Sequence, residues 1–427
     1  MTDRRTTAER LALLRYRLLL LVAVIPVLLL TLLQAAKHKD GRYLLQRFGM
    51  GYRRHRRGGL WIHAASVGEV QALLPLVTHL QRQYPKMELR LSTVTPTGGK
   101  IVRQKLPQVQ HLYLPLDLPA LVNRFIRALN APCGLIMETE LWPNLYHAAQ
   151  QKNLRLVTIN GRVSAKTLHT PPWVKTLYRL ALRNITAVLA RSQVDAERFI
   201  ELGAPPDATT VTGNLKFAIA ADFSPPQQAL AIDRPYVLAA STHQHEERLL
   251  AELWAQLNTD DYLLVIAPRH PYRSAHIVKQ LIQIDNHIAV RSKGDPVQAT
   301  TRVYLADTLG ELMVFMRDAT VVFMGGSLVP TGGHNILEPA MLGKAIVFGP
   351  YMHNFTDEAL RFIEQQAAVQ VTDADDLLRQ LKILLADPAK RHTYGERAKI
   401  LMEQEKDMVE RYVSQLQRYC DFEALNE

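Results

Sequence analysis

The chain has 427 residues, 48% of them hydrophobic and 21% charged, which is enough apolar material for two domains of ordinary size and too much for extended disorder. Its formal charge of +11 draws nucleic acid, an anionic membrane or a phosphorylated substrate, and the lack of any zinc finger or RNP-type aromatic strand sets nucleic acid aside as a partner. Cys133 and Cys420 stand far apart in the chain and read as packed or surface thiols, neither a disulfide framework nor a zinc set, as in a reducing compartment.

The first element is apolar. Residues 18–33 read LLLLVAVIPVLLLTLL, without a charge. As a helix this run covers about 24 Å, short of a hydrocarbon core of roughly 30 Å, whereas residues 16–36 cover about 31 Å. Pro26 sits midway and is expected to kink the helix, which membrane helices tolerate. Residues 1–40 are therefore predicted to form an uncleaved membrane anchor. A cleaved signal peptide, with Gln34-Ala35-Ala36 as its small-residue site, and a buried soluble helix are the competing readings. Arg4, Arg5, Arg10, Arg15 and Arg17 precede the run. Lys37, Lys39, Arg42, Arg47, Arg53, Arg54, Arg56 and Arg57 follow it. The second cluster is larger, so the positive-inside rule places the remainder in the cytoplasm. Arg53, Arg54, Arg56 and Arg57 are predicted to face the membrane or an acceptor phosphate, since basic residues near an anionic bilayer each gain about 1 kcal/mol.

From Leu60 onward, short apolar strands alternate with helical stretches. LWIHAAS (60–66), ELRLSTV (88–94), GLIMET (134–139), RLVTING (155–161) and AVLARS (187–192) come first. The rhythm weakens over 216–235, which holds a Pro-Pro pair and reads as a linker. It resumes with PYVLAAS (235–241), YLLVIAPR (262–269), VYLAD (303–307), ATVVFMGG (319–326) and AIVFG (345–349), and helical periodicity dominates after Asp375. Alternation of this kind predicts α/β architecture with two doubly wound, Rossmann-like parallel sheets: residues 41–215, then 236–400, with a helical tail over 401–427. Ligands in such sheets bind at the carboxyl ends of strands, and a cleft between two domains is the expected site.

Four strand ends carry candidate chemistry. In His63-Ala-Ala-Ser66-Val-Gly68-Glu69, Ser66 and Glu69 have capping-box spacing; Glu69 is equally a candidate general base beside a glycine that lets a substrate approach. Glu138 and Glu140 follow a strand in METELWPN, either as acid/base or sugar-binding carboxylates or as a solvated turn. Arg269, in Pro-Arg-His-Pro with His270, suits a phosphate or carboxylate through its planar fork, and a structural ion pair is the alternative. The strongest is Gly325-Gly326-Ser327-Leu-Val-Pro-Thr-Gly332-Gly333-His334-Asn335-Ile-Leu-Glu338. Here two glycine pairs bring backbone N–H groups and a helix start toward a phosphate, with Glu338 in reach of ribose hydroxyls. It is neither a dinucleotide fingerprint nor a P-loop. Ser241-Thr242-His243, with Glu246 and Glu247, and Gly213-Asn214-Leu215-Lys216 read either as site residues or as plain caps and turns. In the second, a lysine could face a substrate acid group.

HAASVGEV, ETELWPN, NGRVS (160–164), GNLK, STHQHEE, APRHP and GGSLVPTGGHNILEPA occur in this order and spacing, and together they resemble the lipopolysaccharide Kdo transferases (Kdo is 3-deoxy-D-manno-octulosonic acid). The similarity covers residues 16 to 410. The resemblance implies a two-domain GT-B fold, a CMP-Kdo donor, lipid IVA as acceptor, inversion at the sugar, and a place on the cytoplasmic face of an anionic inner membrane. It implies Glu69 as the base. It implies Arg269, Ser327, Asn335 and Glu338 on the CMP part, Gly326 permitting close approach, with His243, His270 and Lys216 also on the donor side. Ser66, Gly68, Glu140 and Arg162 fall in the acceptor-side motifs. With one phosphate to neutralise, Arg269 and a helix N-terminus suffice, so no cofactor or metal is expected. The family usually has glycine where this chain has His245 in STHQHEE, a departure expected to alter that loop. A GT-B transferase with a UDP-sugar donor, a nucleotide-sugar epimerase of the same architecture and a non-catalytic binding protein are the rival readings.

Overall fold

The computed structural model of the chain describes residues 6–221, 223–257, 259 and 261–426; Arg4 and Arg5 of the basic flank lie outside the described residues. Two compact units form, Met1–Ala221 with Asp407–Glu427, and Asp222–Lys406.

The first unit opens with helix α1 (Thr7–His38), which runs unbroken through Pro26. Thr6 and Glu9 cap each other's backbone N–H groups at its start, and Lys39 closes it in the left-handed conformation. It is the one helix among the described residues long and apolar enough to cross a membrane, by length and composition. Asp40 then caps the short helix α2 (Gly41–Arg47). Arg53, Arg54, Arg56 and Arg57 are exposed on an irregular segment, which is tied to the carboxyl end of the helix Pro119–Leu129 by His55 N–H to Ala128 O and Gly58 N–H to Asn130 O.

Seven parallel strands follow: β1 (Leu60–His63), β2 (Leu89–Thr93), β3 (Gln110–Tyr113), β4 (Cys133–Met137), β5 (Arg155–Gly161), β6 (Ala187–Ala190) and β7 (Thr209–Val211). Their order is β3-β2-β1-β4-β5-β6-β7. Strands buried on both faces read as continuous apolar runs, and β1, β2 and β4 are buried at every position. One face packs Trp61, Phe125, Ile136, Tyr146 and Phe199 into a single cluster. The turn Leu215–Ala220, which opens the sequence-predicted linker, buries Leu215, Phe217 and Ala218 within this unit.

The second unit repeats the plan with β8 (Tyr236–Thr242), β9 (Leu263–Pro268), β10 (Ile288–Val290), β11 (Val303–Leu305), β12 (Val321–Met324), β13 (Ala345–Phe348) and β14 (Val369–Gln370). Their order is β10-β11-β9-β8-β12-β13-β14, all parallel. Val237, Trp254, Ile266, Phe323 and Leu377 belong to its core. The helices Ala374–Ala386 and Pro388–Glu403 close this unit. The helix Met408–Gln417 returns to the first, where Tyr412 donates to Gly213 O and accepts from Asn160 N–H.

That return corrects the reading of the cysteines. Cys420, just past the returning helix, meets Cys133 on β4, and the two form a disulfide buried in the first unit. A sequence separation of 287 residues hides a contact that only the crossing of the tail creates.

Candidate functional site

In the first unit the candidates gather at the carboxyl ends of β1, β4 and β5, which are neighbours in the sheet. Ser66 caps the helix α3 (Val67–Gln83) by accepting from Glu69 N–H at 3.3 Å, and its hydroxyl donates to Glu69 Oε1 at 2.8 Å. The other carboxylate oxygen accepts from Ala65 N–H at 2.9 Å. Glu69 is thus held by both oxygens at a helix start, with Gly68 beside it. Burial lifts its carboxyl to about 7, with Glu138 and Glu140 adding repulsion against the Ala65 and Ser66 hydrogen bonds. Such a group changes protonation near neutral pH, as a general base should.

Glu138 sits in the left-handed region at φ 56°, which turns the chain sharply off β4. Glu140 accepts from Trp142 Nε1 at 2.8 Å, and burial raises its carboxyl above the ordinary range. His63, fully buried on β1, shares Nδ1 with Ser92 and points Nε2 toward Glu140 at 4.0 Å. Burial lowers that imidazole to about 3, so it is neutral. Arg162 follows β5, and its carbonyl accepts from the Thr139 hydroxyl, locking the β4 and β5 ends together. Lys216, predicted on the donor side, belongs to the first unit: it lies in the turn that Asn214 caps, whose Leu215 N–H donates to Asn160 at 3.0 Å.

In the second unit the candidates gather at the ends of β9, β8 and β12, again adjacent. A register shift at Ser241, φ 56°, bends β8 outward, as bulges beside functional sites do. His243 and His334 face each other with Nε2 to Nε2 at 2.9 Å, and His270 lies edge-on to His243. Two imidazoles at that distance share one proton. Burial lowers both, His334 to about 4, with Arg269 and the other histidines adding to the effect. Gly326, at φ 65°, lets these rings approach: a Cβ there would stand 3.2 Å from each. Arg269 is exposed and has no hydrogen-bonded side-chain partner among the described residues. Its charge reaches Glu338, whose carboxyl burial raises and whose Oε1 accepts from Asn335 Nδ2 at 3.2 Å. Arg269, His270, His334, Asn335 and Glu338 form one cluster.

Two expectations for the glycine loop change. The N–H groups of its first turn are occupied: the fully buried Glu246 accepts from Gly326 N–H at 2.7 Å, from Ser327 and Leu328 N–H at 3.1 Å each, and from His243 N–H at 2.8 Å. Ser327 is also fully buried, its hydroxyl donating to Met324 O and accepting from Gly349 N–H, so its side chain braces the loop. The helix carrying Glu338 is only Leu337–Met341, too short for the substantial terminal charge of a longer helix. Glu247 is held by a two-pronged ion pair from Arg273. His334 and Glu246 were present in the sequence motifs without a clear role, because neither pairing is between neighbours in the chain.

UDP-GlcNAc 2-epimerase from Neisseria meningitidis is similar with a TM-score of 0.58 at 13% identity, over 84% of this chain and all of that one. This defines the class as GT-B, and at that identity it shows the fold alone. A family model described as 3-deoxy-D-manno-octulosonic-acid transferase (kdotransferase) matches residues 42–219. The 3-deoxy-D-manno-octulosonic acid transferase of Haemophilus influenzae is 33% identical over 374 residues, 85% of this chain and 87% of that protein. The enzyme of the same name from Bordetella pertussis is 35% identical over 363 residues, 80% of this chain and 82% of its own length. The chain belongs to the 3-deoxy-D-manno-octulosonic acid transferase family and is a glycosyltransferase.

Proposed function

We propose that the chain transfers Kdo from CMP-Kdo to lipid IVA with inversion, at the cytoplasmic face of the inner membrane, where α1 and the basic segment meet anionic lipid. The observation that carries the mechanism is Glu69: a carboxylate oriented by Ala65 N–H and Ser66 and raised to about 7 beside two further carboxylates. In its ionised form it accepts the proton of the acceptor hydroxyl. That oxygen forms its bond to the anomeric carbon of Kdo while the bond from this carbon to the phosphate oxygen breaks, and CMP leaves with the electron pair.

On the donor side, Arg269 is the charge that offsets the departing phosphate, since its guanidinium is exposed and not held by a side chain. Asn335 and Glu338 form the polar pair suited to the ribose hydroxyls, and His270 and the His243–His334 pair stand nearby. The acceptor side takes Gly68, Glu140 and Arg162, with Arg53, Arg54, Arg56 and Arg57 for the lipid's phosphates. Lys216, with the first unit, suits the sugar acid.

Glu69→Gln tests the base directly. The amide keeps an oxygen for Ala65 N–H and loses the proton acceptor. Transfer should fall by about 10²- to 10⁴-fold with CMP affinity, by calorimetry, unchanged. Retained turnover would remove Glu69 from the mechanism. A UDP-sugar donor is the second possibility the fold admits, and stronger thermal stabilisation by UDP than by CMP would favour it.

A further inference from the structure

We propose that α1 lies in the plane of the membrane, sunk into one leaflet, and does not cross the bilayer. This rests on the reading of α1 as a membrane anchor and says how it is placed.

Both ends of α1 are fastened to the same unit. Near its start, Glu9 pairs with Arg183 at 2.5 Å, and Ala12 and Leu13 pack on Leu177 and Leu180. Tyr16 donates to Asp117 Oδ2 at 2.9 Å, and the Arg17 guanidinium donates to Asn144 Oδ1. Near its end, Ala35 packs with Tyr43 and Tyr113. Asp40, just beyond, accepts from the Tyr113 hydroxyl at 2.6 Å and from Arg103. Tyr16 and Ala35 are about 28 Å apart along a helix. Their partners Asp117 and Tyr113 are only four residues apart, Tyr113 ending β3 and Asp117 in the segment after it, at most about 14 Å of chain. A spanning helix would put Tyr16 and Ala35 at opposite edges of a hydrocarbon core roughly 30 Å thick. The end of β3 and the segment 114–117 would then lie within that core, together with the buried Asp117 carboxylate and its hydrogen bonds, where polar backbone is expensive.

The burial pattern gives the same geometry. Glu9, Ala12, Leu13, Thr31 and Ala35 are buried, and Leu20, Ala23, Val24 and Val27 between them are half-buried. Spacings of three and four put all of these on one stripe along the helix. The opposite stripe, Leu18, Val22, Ile25, Leu29 and Leu32, is open, with Val22 and Ile25 each 76% exposed. Exposed Arg10 and Arg15 flank this face at one end, and Lys37 and Lys39 at the other. In a flat helix both basic pairs reach the headgroups of the same leaflet, and the apolar face enters its acyl region. The occupant of the open face is therefore the acyl-chain layer of one anionic leaflet.

The full chain is to be bound to sealed vesicles of phosphatidylethanolamine and phosphatidylglycerol and first checked by flotation. Thr7→Cys and Gly41→Cys place thiols at exposed sites beside the two ends of α1, while Cys133 and Cys420 are buried and paired. A membrane-impermeant maleimide added outside should label both variants equally. Fluorophores on Leu18→Cys, Ile25→Cys and Leu32→Cys should be quenched alike by a quencher carried near the headgroup. Floating vesicles in which one of Thr7→Cys and Gly41→Cys is protected until detergent is added, or in which Ile25→Cys alone is deep, would overturn the in-plane placement and leave Kdo transfer untouched. Fluorophores that are dry yet unaffected by any lipid-borne quencher would assign the face to a second copy of the chain and overturn it equally. Failure to float would sink membrane contact itself, which the transfer assay reads separately.

Discussion

At Ser66 and Glu69 a helix cap and a candidate base are made from the same two side chains. The spacing S-x-x-E admits either reading: Ser66 caps α3, and the Glu69 carboxylate, the proposed base, reaches back to Ala65 N–H. What the spacing does not convey is burial, and burial is what brings the carboxyl to about 7. Because the ionised form is the active one, kcat/KM for Kdo transfer should fall about tenfold per pH unit below about 7, with Glu69→Gln flattening that limb. A profile flat down to pH 5 would contradict the assignment. His245 is a second case. It stands where the resembling family has glycine, and it adopts φ 80°, a conformation costing a non-glycine residue about 1–2 kcal/mol. His245→Gly should therefore stabilise the protein by about 0.5–1 kcal/mol, after the entropy that glycine adds to the unfolded chain, as a higher midpoint in urea. A lower midpoint would mean that the imidazole makes a stabilising contact.

At the scale of elements, the ten strands legible in the sequence are the ten interior strands, and β3, β7, β10 and β14 are the four edges. Interior strands are covered on both faces and announce themselves as apolar runs. Edge strands such as Thr209–Val211 and Val369–Gln370 are short and partly exposed, so no such run marks them. The glycine loop was legible as a loop, but its use was not. Its N–H groups converge on Glu246, a residue 80 positions earlier than Gly326, and no local pattern links the two. With four backbone donors depending on one buried carboxylate, Glu246→Ala should cost about 2–4 kcal/mol of stability. It should also weaken CMP binding about tenfold or more, because the loop that seats the histidine pair loses its brace. A variant with unchanged unfolding midpoint and unchanged CMP affinity would show that the loop holds its shape unaided.

Over the whole molecule, strand–helix alternation was sufficient for two doubly wound sheets, and the ordered motifs were sufficient for the family. The path of the tail was not legible: the helical tail expected over 401–427 divides at Lys406, and its helix Met408–Gln417 belongs to the first unit. Helical periodicity records which face is apolar and not which body covers it. The Cys133–Cys420 pairing was hidden for the same reason. The central claim is chemical, and one assay addresses it: the full chain in anionic vesicles, given CMP-Kdo and lipid IVA, with the lipid product weighed by mass spectrometry and CMP release followed in parallel. A lipid heavier by whole Kdo units, with CMP released in matching amount, is the predicted result. Unmodified lipid IVA, with the sugar accepted only from a UDP donor or merely epimerised, would contradict it.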